Sequence, residues 1–177
     1  MSLSGGFKTL EFEGIKIGGY MEKPNIKWYE DDELTIGFSE APHVCVRYVL
    51  PSSTPAEIKS IKKYPFICKT NLKVTLFDHI KEEIYTFMIP KGYCYDGASI
   101  NRIFWRLIGA PTDNTFLIAS LLHDTMCEHH EYINNDRYFS TIVFERLLYV
   151  AGVNPLKRWV MKHAVDNFQK FCGWDKK

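Results

Sequence analysis

Two residues open the question of chemistry: His123 and Asp124 stand side by side in Phe116 to Cys127, a stretch whose apolar residues recur at helical spacing. An imidazole and a carboxylate presented together can bind a metal ion. They can also act as a general base held by a neighbouring acid. Two further carboxylates fall where a small fold would bring them near. Asp96 follows an apolar run in the Gly-containing turn Tyr95-Asp96-Gly97-Ala98-Ser99, and Asp136 begins the next helical stretch.

Buried carboxylates are costly unless paired or bound to a cation. Two readings therefore stand together. In one, Asp96 and Asp124 are oxygen ligands for Ca²⁺, Mg²⁺ or Mn²⁺, while His123 activates a water and Asp136 orients His123, with no organic cofactor. In the other, Arg102, Arg106 and Arg137 pair with the same carboxylates in a buried network that does no chemistry. Zinc is a lesser alternative, through His123 and Cys127 at i,i+4 with His129, His130 or His163. Glu128-His129-His130-Glu131 reads as a solvated helix end. Ser99 lacks the Gly-x-Ser-x-Gly elbow of a serine nucleophile, and Ile17-Gly18-Gly19 lacks the spacing of a phosphate-binding loop.

The elements that must position these residues define an α+β class. A strand-rich N-terminal half with a β-hairpin is expected to pack on a C-terminal bundle of about three helices, the whole 1–177 forming one domain. Apolar alternation marks strands in Phe7 to Ile17, Leu34 to Phe38 and Val44 to Leu50. A short helix is expected over Thr54 to Lys63, with Ser53 or Thr54 as its cap and Pro55 in its first turn. Leu72 to Phe77 and Glu82 to Ile89, separated by a polar turn, predict the hairpin.

Beyond it, Asn101 to Ile108 is expected as a short helix, and a longer one, capped by Thr112 or Asp113, runs to about His130. The next helix is expected to be capped by Asn134 or Asn135, with Asp136 in its first turn, and to end at Gly152. Asn154-Pro155 begins the last helix, whose inner stripe is expected to be Leu156, Trp159, Val160, His163 and Phe171, with Gly173 as its stop.

Composition sets outer limits. Hydrophobic residues are 46%, aromatics 15% and charged residues 24%, which suits a folded core rather than disorder. With 22 basic and 21 acidic residues the chain has no global field for nucleic acid. Any polyanion site is local, and its candidate is the last helix and tail, with Lys157, Arg158, Lys162, Lys170, Lys176 and Lys177, although basic residues late in a helix also read as a solvated face that complements the helix dipole. Five scattered cysteines without a CxxC spacing argue against a disulfide framework. The N-terminus has no signal-like stretch and no segment reads as a membrane span, so a cytoplasmic location is expected.

One resemblance rests on three pieces: Phe87-Met-Ile-Pro-Lys-Gly-Tyr-Cys-Tyr-Asp-Gly-Ala-Ser-Ile-Asn-Arg102, Ala119-Ser-Leu-Leu-His-Asp124, and Asp136. From about Leu72 to Trp174 the chain resembles domain-of-unknown-function family 1353 of phages and bacteria, leaving 1–71 as a strand-rich extension. The resemblance implies phage or prophage ancestry, a phage or host protein as partner, a location that includes the virion, and Ser99 and Arg102 as further site residues. The chain departs from the family at Asn101, where Pro is usual, and at Cys127, where an aromatic is usual. A second likeness is to phospholipase A2, whose helical His-Asp pair combines a water-activating His with a calcium-binding Asp. It implies a metal-dependent hydrolase in which Gly92 to Gly97 forms the calcium loop. The disulfides of the secreted members of that family are absent here.

Overall fold

The computed structural model describes residues 11–12, 15–16, 25–97 and 114–174. Strict alternation in Leu72 to Ile89 produces the longest strands. β7 (Leu72–Asp78) and β8 (Glu83–Ile89) pair antiparallel from Leu72 opposite Ile89 to Asp78 opposite Glu83. The turn between them is fixed by the buried Asp78. Its Oδ1 accepts the backbone N–H groups of Ile80 and Lys81, each at 3.0 Å, and Glu82 takes a left-handed φ of 56°.

β3 (Ile26–Glu30) and β4 (Leu34–Phe38) complete a four-stranded antiparallel sheet in the order β3-β4-β7-β8. Leu34, Ile36, Phe38, Leu72, Val74, Leu76, Tyr85, Phe87 and Ile89 from this sheet are buried in the core. A register shift at Lys27/Tyr29 marks a bulge in β3. β1 (Glu11–Phe12) and β2 (Ile15–Lys16) form a separate short pair.

A second, three-stranded sheet has the order β5-β6-β9, from β5 (Val44–Val46), β6 (Phe66–Cys68) and β9 (Cys94–Tyr95). The expected strand to Leu50 therefore stops at Val46, and Tyr48, Val49 and Leu50 are exposed. Between β5 and β6 lies α1 (Pro55–Lys63). Thr54 accepts the N–H of Glu57, and the Glu57 carboxylate accepts the N–H of Thr54 at 2.7 Å, a reciprocal cap legible in Thr-Pro-Ala-Glu.

The helical half carries the remaining core. α2 (Asn114–Glu128) is its centre: Phe116 to Leu122 are all buried. A 3₁₀ turn (His130–Ile133) follows α2 and ends in left-handed Asn134 and Asn135. α3 (Arg137–Val150) buries Phe139, Val143, Phe144, Leu147 and Leu148 against its neighbours. The Arg146 guanidinium pairs with Asp31 at 2.9 Å and Glu33 at 2.8 Å, fastening α3 to the β3–β4 turn.

α4 (Pro155–Phe168) has Asn154 as its cap and continues into one wider π turn (Gln169–Gly173). The α+β class holds, with the 3₁₀ turn and three long helices following the sheets. The expected helix Asn101 to Ile108 and the caps Thr112 and Asp113 lie outside the described residues.

Two expectations are corrected here. Asp136, not Asn134 or Asn135, is the N-cap of α3: its Oδ1 accepts the Phe139 N–H at 2.9 Å. Asn134 and Asn135 are instead spent on the left-handed reversal, which their short side chains tolerate. The inner stripe of α4 is also reversed. Met161, Val165 and Gln169 face inward, whereas Leu156, Trp159 and Phe171 are 70%, 58% and 74% exposed. The two apolar rows lie on different sides of one helix, and the row that meets α3 is the one with the smaller, unbranched or β-branched side chains.

Candidate functional site

β9 and the turn after it are pinned along α2 by three hydrogen bonds. The Tyr93 hydroxyl donates to Glu128 Oε2 at 2.5 Å, the Tyr95 hydroxyl to the Leu117 carbonyl at 2.9 Å, and the Gly97 N–H to Asp124 Oδ2 at 3.0 Å. Tyr93 and Tyr95 are alternate residues, so their two hydroxyls come from one face of the strand end, and the third donor is the main-chain N–H of Gly97 in the turn beyond it. Burial, reinforced for Tyr93 by Glu128 and for Tyr95 by the Asp124 charge, raises both phenols above their ordinary range, so both stay donors.

Gly97 has φ +89°, and a Cβ there would lie 2.4 Å from Phe66 Cε2. Only glycine satisfies both the left-handed backbone and that ring. The turn thus brings Asp96, half-buried, and the Asp124 carboxylate to the same corner.

His123, beside that carboxylate, lies inside the helix bundle. It is 6% exposed, with the Phe144 ring 5.0 Å away. Its Nδ1 lies 3.7 Å from Asp124 Oδ1. Its Nε2 lies 3.0 Å from the Gln169 side-chain amide and 3.5 Å from Cys127 Sγ. The same amide nitrogen is 3.1 Å from Cys127 Sγ and 3.0 Å from Ser140 Oγ, and the Thr141 hydroxyl lies 3.0 Å from its oxygen. Six side chains from α2, α3 and the π turn therefore form one polar network inside an apolar bundle. Ser120, one turn before Asp124, is fully buried, and its hydroxyl has no partner among the described residues.

Burial pushes the His123 imidazole down, but the Cys127 sulfur and the Asp124 carboxylate outweigh it and hold the group at about 10. The raised pKa favours the imidazolium form, with a hydrogen on each nitrogen. One amide NH₂ has two hydrogens for three neighbours, and an imidazolium needs an acceptor at Nε2. Both requirements are met when the Gln169 amide turns its oxygen to the ring and its NH₂ to Thr141.

Asp136 is elsewhere. Besides capping α3 it pairs with Lys81 of the hairpin turn, so it ties the sheet to the helices. Partial burial raises its pKa, but Lys81 and the Phe139 N–H prevail and hold the carboxyl below its usual range. The residue that takes His123 Nε2 is Gln169, 46 positions away. Arg137, expected as a partner for the three carboxylates, pairs with Asp166 instead. Of the lesser zinc set, His123 and Cys127 lie together, while His129 packs on the Tyr132 ring, His130 on Trp174 and His163 on Trp159. Among the described residues no group of three His, Cys, Asp or Glu side chains is gathered closely enough to hold a metal. Ser99, Arg102 and Arg106 lie outside them.

Gln169, Ser140 and Thr141 were not singled out by sequence reasoning. The one available signal was the row Met161, Val165, Gln169 at i, i+4, i+8, in which a polar residue ends an apolar line.

The fold and site define an α+β protein in which a strand-end Asp-Gly turn is pinned onto a helix bearing His-Asp. The chain belongs to the family described as protein of unknown function DUF1353, which matches residues 73–165, a little over half its length. It is also 48% identical over 40 residues to the uncharacterized protein y4jT of Sinorhizobium fredii. That stretch is 23% of this chain and 12% of the relative, so the chain spans a small part of that protein's length. No solved structure matches. No described helix is long and apolar enough to cross a membrane.

Proposed function

We propose that this protein has a structural or protein-binding role of phage or prophage ancestry, in which the His-Asp constellation is scaffold. One observation carries the reading: both ring nitrogens of His123 face groups of its own chain, and the ring is almost wholly removed from solvent. A general base needs a neutral nitrogen within reach of its water. His123 offers a protonated ring between Asp124 and Gln169. The network instead fastens three separate elements, α2, α3 and the π turn, while the adjoining Gly97–Asp124 bond fastens the strand-end turn.

A second reading, a cation-assisted hydrolase, is favoured by one specific contact. The Gly97 N–H holds Asp124 at the corner where Asp96 stands, so two of the expected ligands come from adjoining elements. In that reading Asp96 and Asp124 would hold Ca²⁺, Mg²⁺ or Mn²⁺, and the ion would supply an activated water. His123 would have to surrender its hydrogen to act on it.

Asp124→Asn separates the two. On the structural reading it removes the charge facing the imidazolium, so the variant melts lower and neither protein takes up calcium or manganese in calorimetric titration. Stoichiometric uptake by the natural protein, lost in a variant of unchanged melting temperature, would establish the hydrolase reading instead.

A further inference from the structure

α4 turns an apolar row toward solvent. Leu156, Trp159, Val160 and His163 share one side of it, and Phe168 and Phe171 extend the exposed surface at its end. The Trp159 and His163 rings lie 4.3 Å apart, so the row is an ordered surface. On α3, Tyr138 and Tyr149 are both more than half exposed. Lys162 Nζ is 5.9 Å from the Tyr138 ring centre, and the Arg158 guanidinium 4.8 Å from that of Tyr149. An exposed apolar row of this kind on a folded protein marks an interaction site.

Charge indicates what it meets. Residues 155–174 contain four basic side chains, Lys157, Arg158, Lys162 and Lys170, and one acidic, Asp166. Asp166 is neutralised by Arg137 and Lys170. Arg158 is mostly buried and pairs with Glu145 at 3.3 Å, and the rest of the chain is slightly acidic, so the positive excess of residues 155–174 lies with the lysines beside the apolar row. Leucine, tryptophan and phenylalanine at the centre, with tyrosines and long basic stems beside them, suit the boundary between headgroups and acyl chains. The rings and the aliphatic stems enter, and the ammonium groups stay at phosphate level. Nucleic acid would leave Leu156 and Val160 with no complementary surface.

We propose that α4 and its π turn form a docking surface for an anionic lipid bilayer, lying along it rather than crossing it. The full chain is sedimented with vesicles of phosphatidylcholine alone and of phosphatidylcholine mixed with phosphatidylglycerol. Binding is expected to the mixed vesicles, to weaken with added salt, and to fall by on the order of tenfold or more in the double variant Trp159→Ser/Phe171→Ser. Both positions are exposed, so that variant should keep the melting temperature of the natural protein. Absence of binding to mixed vesicles overturns the proposal, as does equal binding by the variant. So does a dimer of the natural chain that the variant fails to form, because the row is then covered by a second copy.

Discussion

His123→Leu should destabilise the protein by about 3 to 5 kcal/mol, the range for removing one member of a buried ion pair. At this chain length that corresponds to a fall in melting temperature on the order of 10 °C. Leucine fills a similar volume, so the loss is not chiefly a cavity. It comes from Asp124, whose side chain is 15% exposed and loses its counter-charge, and from Gln169 and Cys127, which lose a polar neighbour. Adding Gln169→Leu removes one of those orphaned groups, so the pair of changes should cost less than the sum of the two single variants.

The same residue sets a pH dependence. His123 titrates at about 10 in the folded protein, against 6.5 for the ordinary imidazole, so the folded state holds its proton more tightly than the unfolded one. Its contribution to stability is complete below about pH 6.5. It declines as pH rises and is gone above about 10. In the His123→Leu variant this part of the pH dependence should vanish, which thermal melts across that window will read.

Gly97→Ala should be nearly as damaging. A left-handed backbone costs a non-glycine residue about 1 to 2 kcal/mol, and the new Cβ, 2.4 Å from Phe66 Cε2, adds overpacking of about 1 to 3 kcal/mol. Phe66 is itself buried in β6, so its ring cannot simply swing out. Combining Gly97→Ala with Phe66→Leu relieves the overlap but not the backbone. If the double variant is less stable than Gly97→Ala alone, the close approach is not what makes glycine necessary.

These effects arise where sequence reasoning was uneven. The hairpin was legible because Leu72 to Ile89 alternates without interruption around a buried aspartate. The starts of α1 and α4 were legible because Thr54-Pro55 and Asn154-Pro155 state their caps in adjacent residues. The inner face of α4 was not, because two apolar rows compete and only contact with α3 selects Met161 and Val165. The contacts of Asp136 with Lys81 and the Phe139 N–H were not legible for a related reason. An aspartate at a helix start serves equally as cap, ion-pair partner or catalytic group, and the choice was made by Lys81, 55 positions earlier. His123 and Asp124 were found as a neighbouring pair, but the group that answers His123 comes from the far end of the chain, where periodicity carries no information about partners.

On the structural reading His123 is a protonated, protein-satisfied part of the scaffold rather than a base. The direct test follows the ring carbon and proton resonances of His123 by NMR from pH 5 upward, assigned by comparison with His123→Leu. A ring that stays protonated through neutrality and titrates near 10 is the expected result. A midpoint between about 6 and 7, the range of a solvent-accessible imidazole, would contradict it and return His123 to the role of catalytic base.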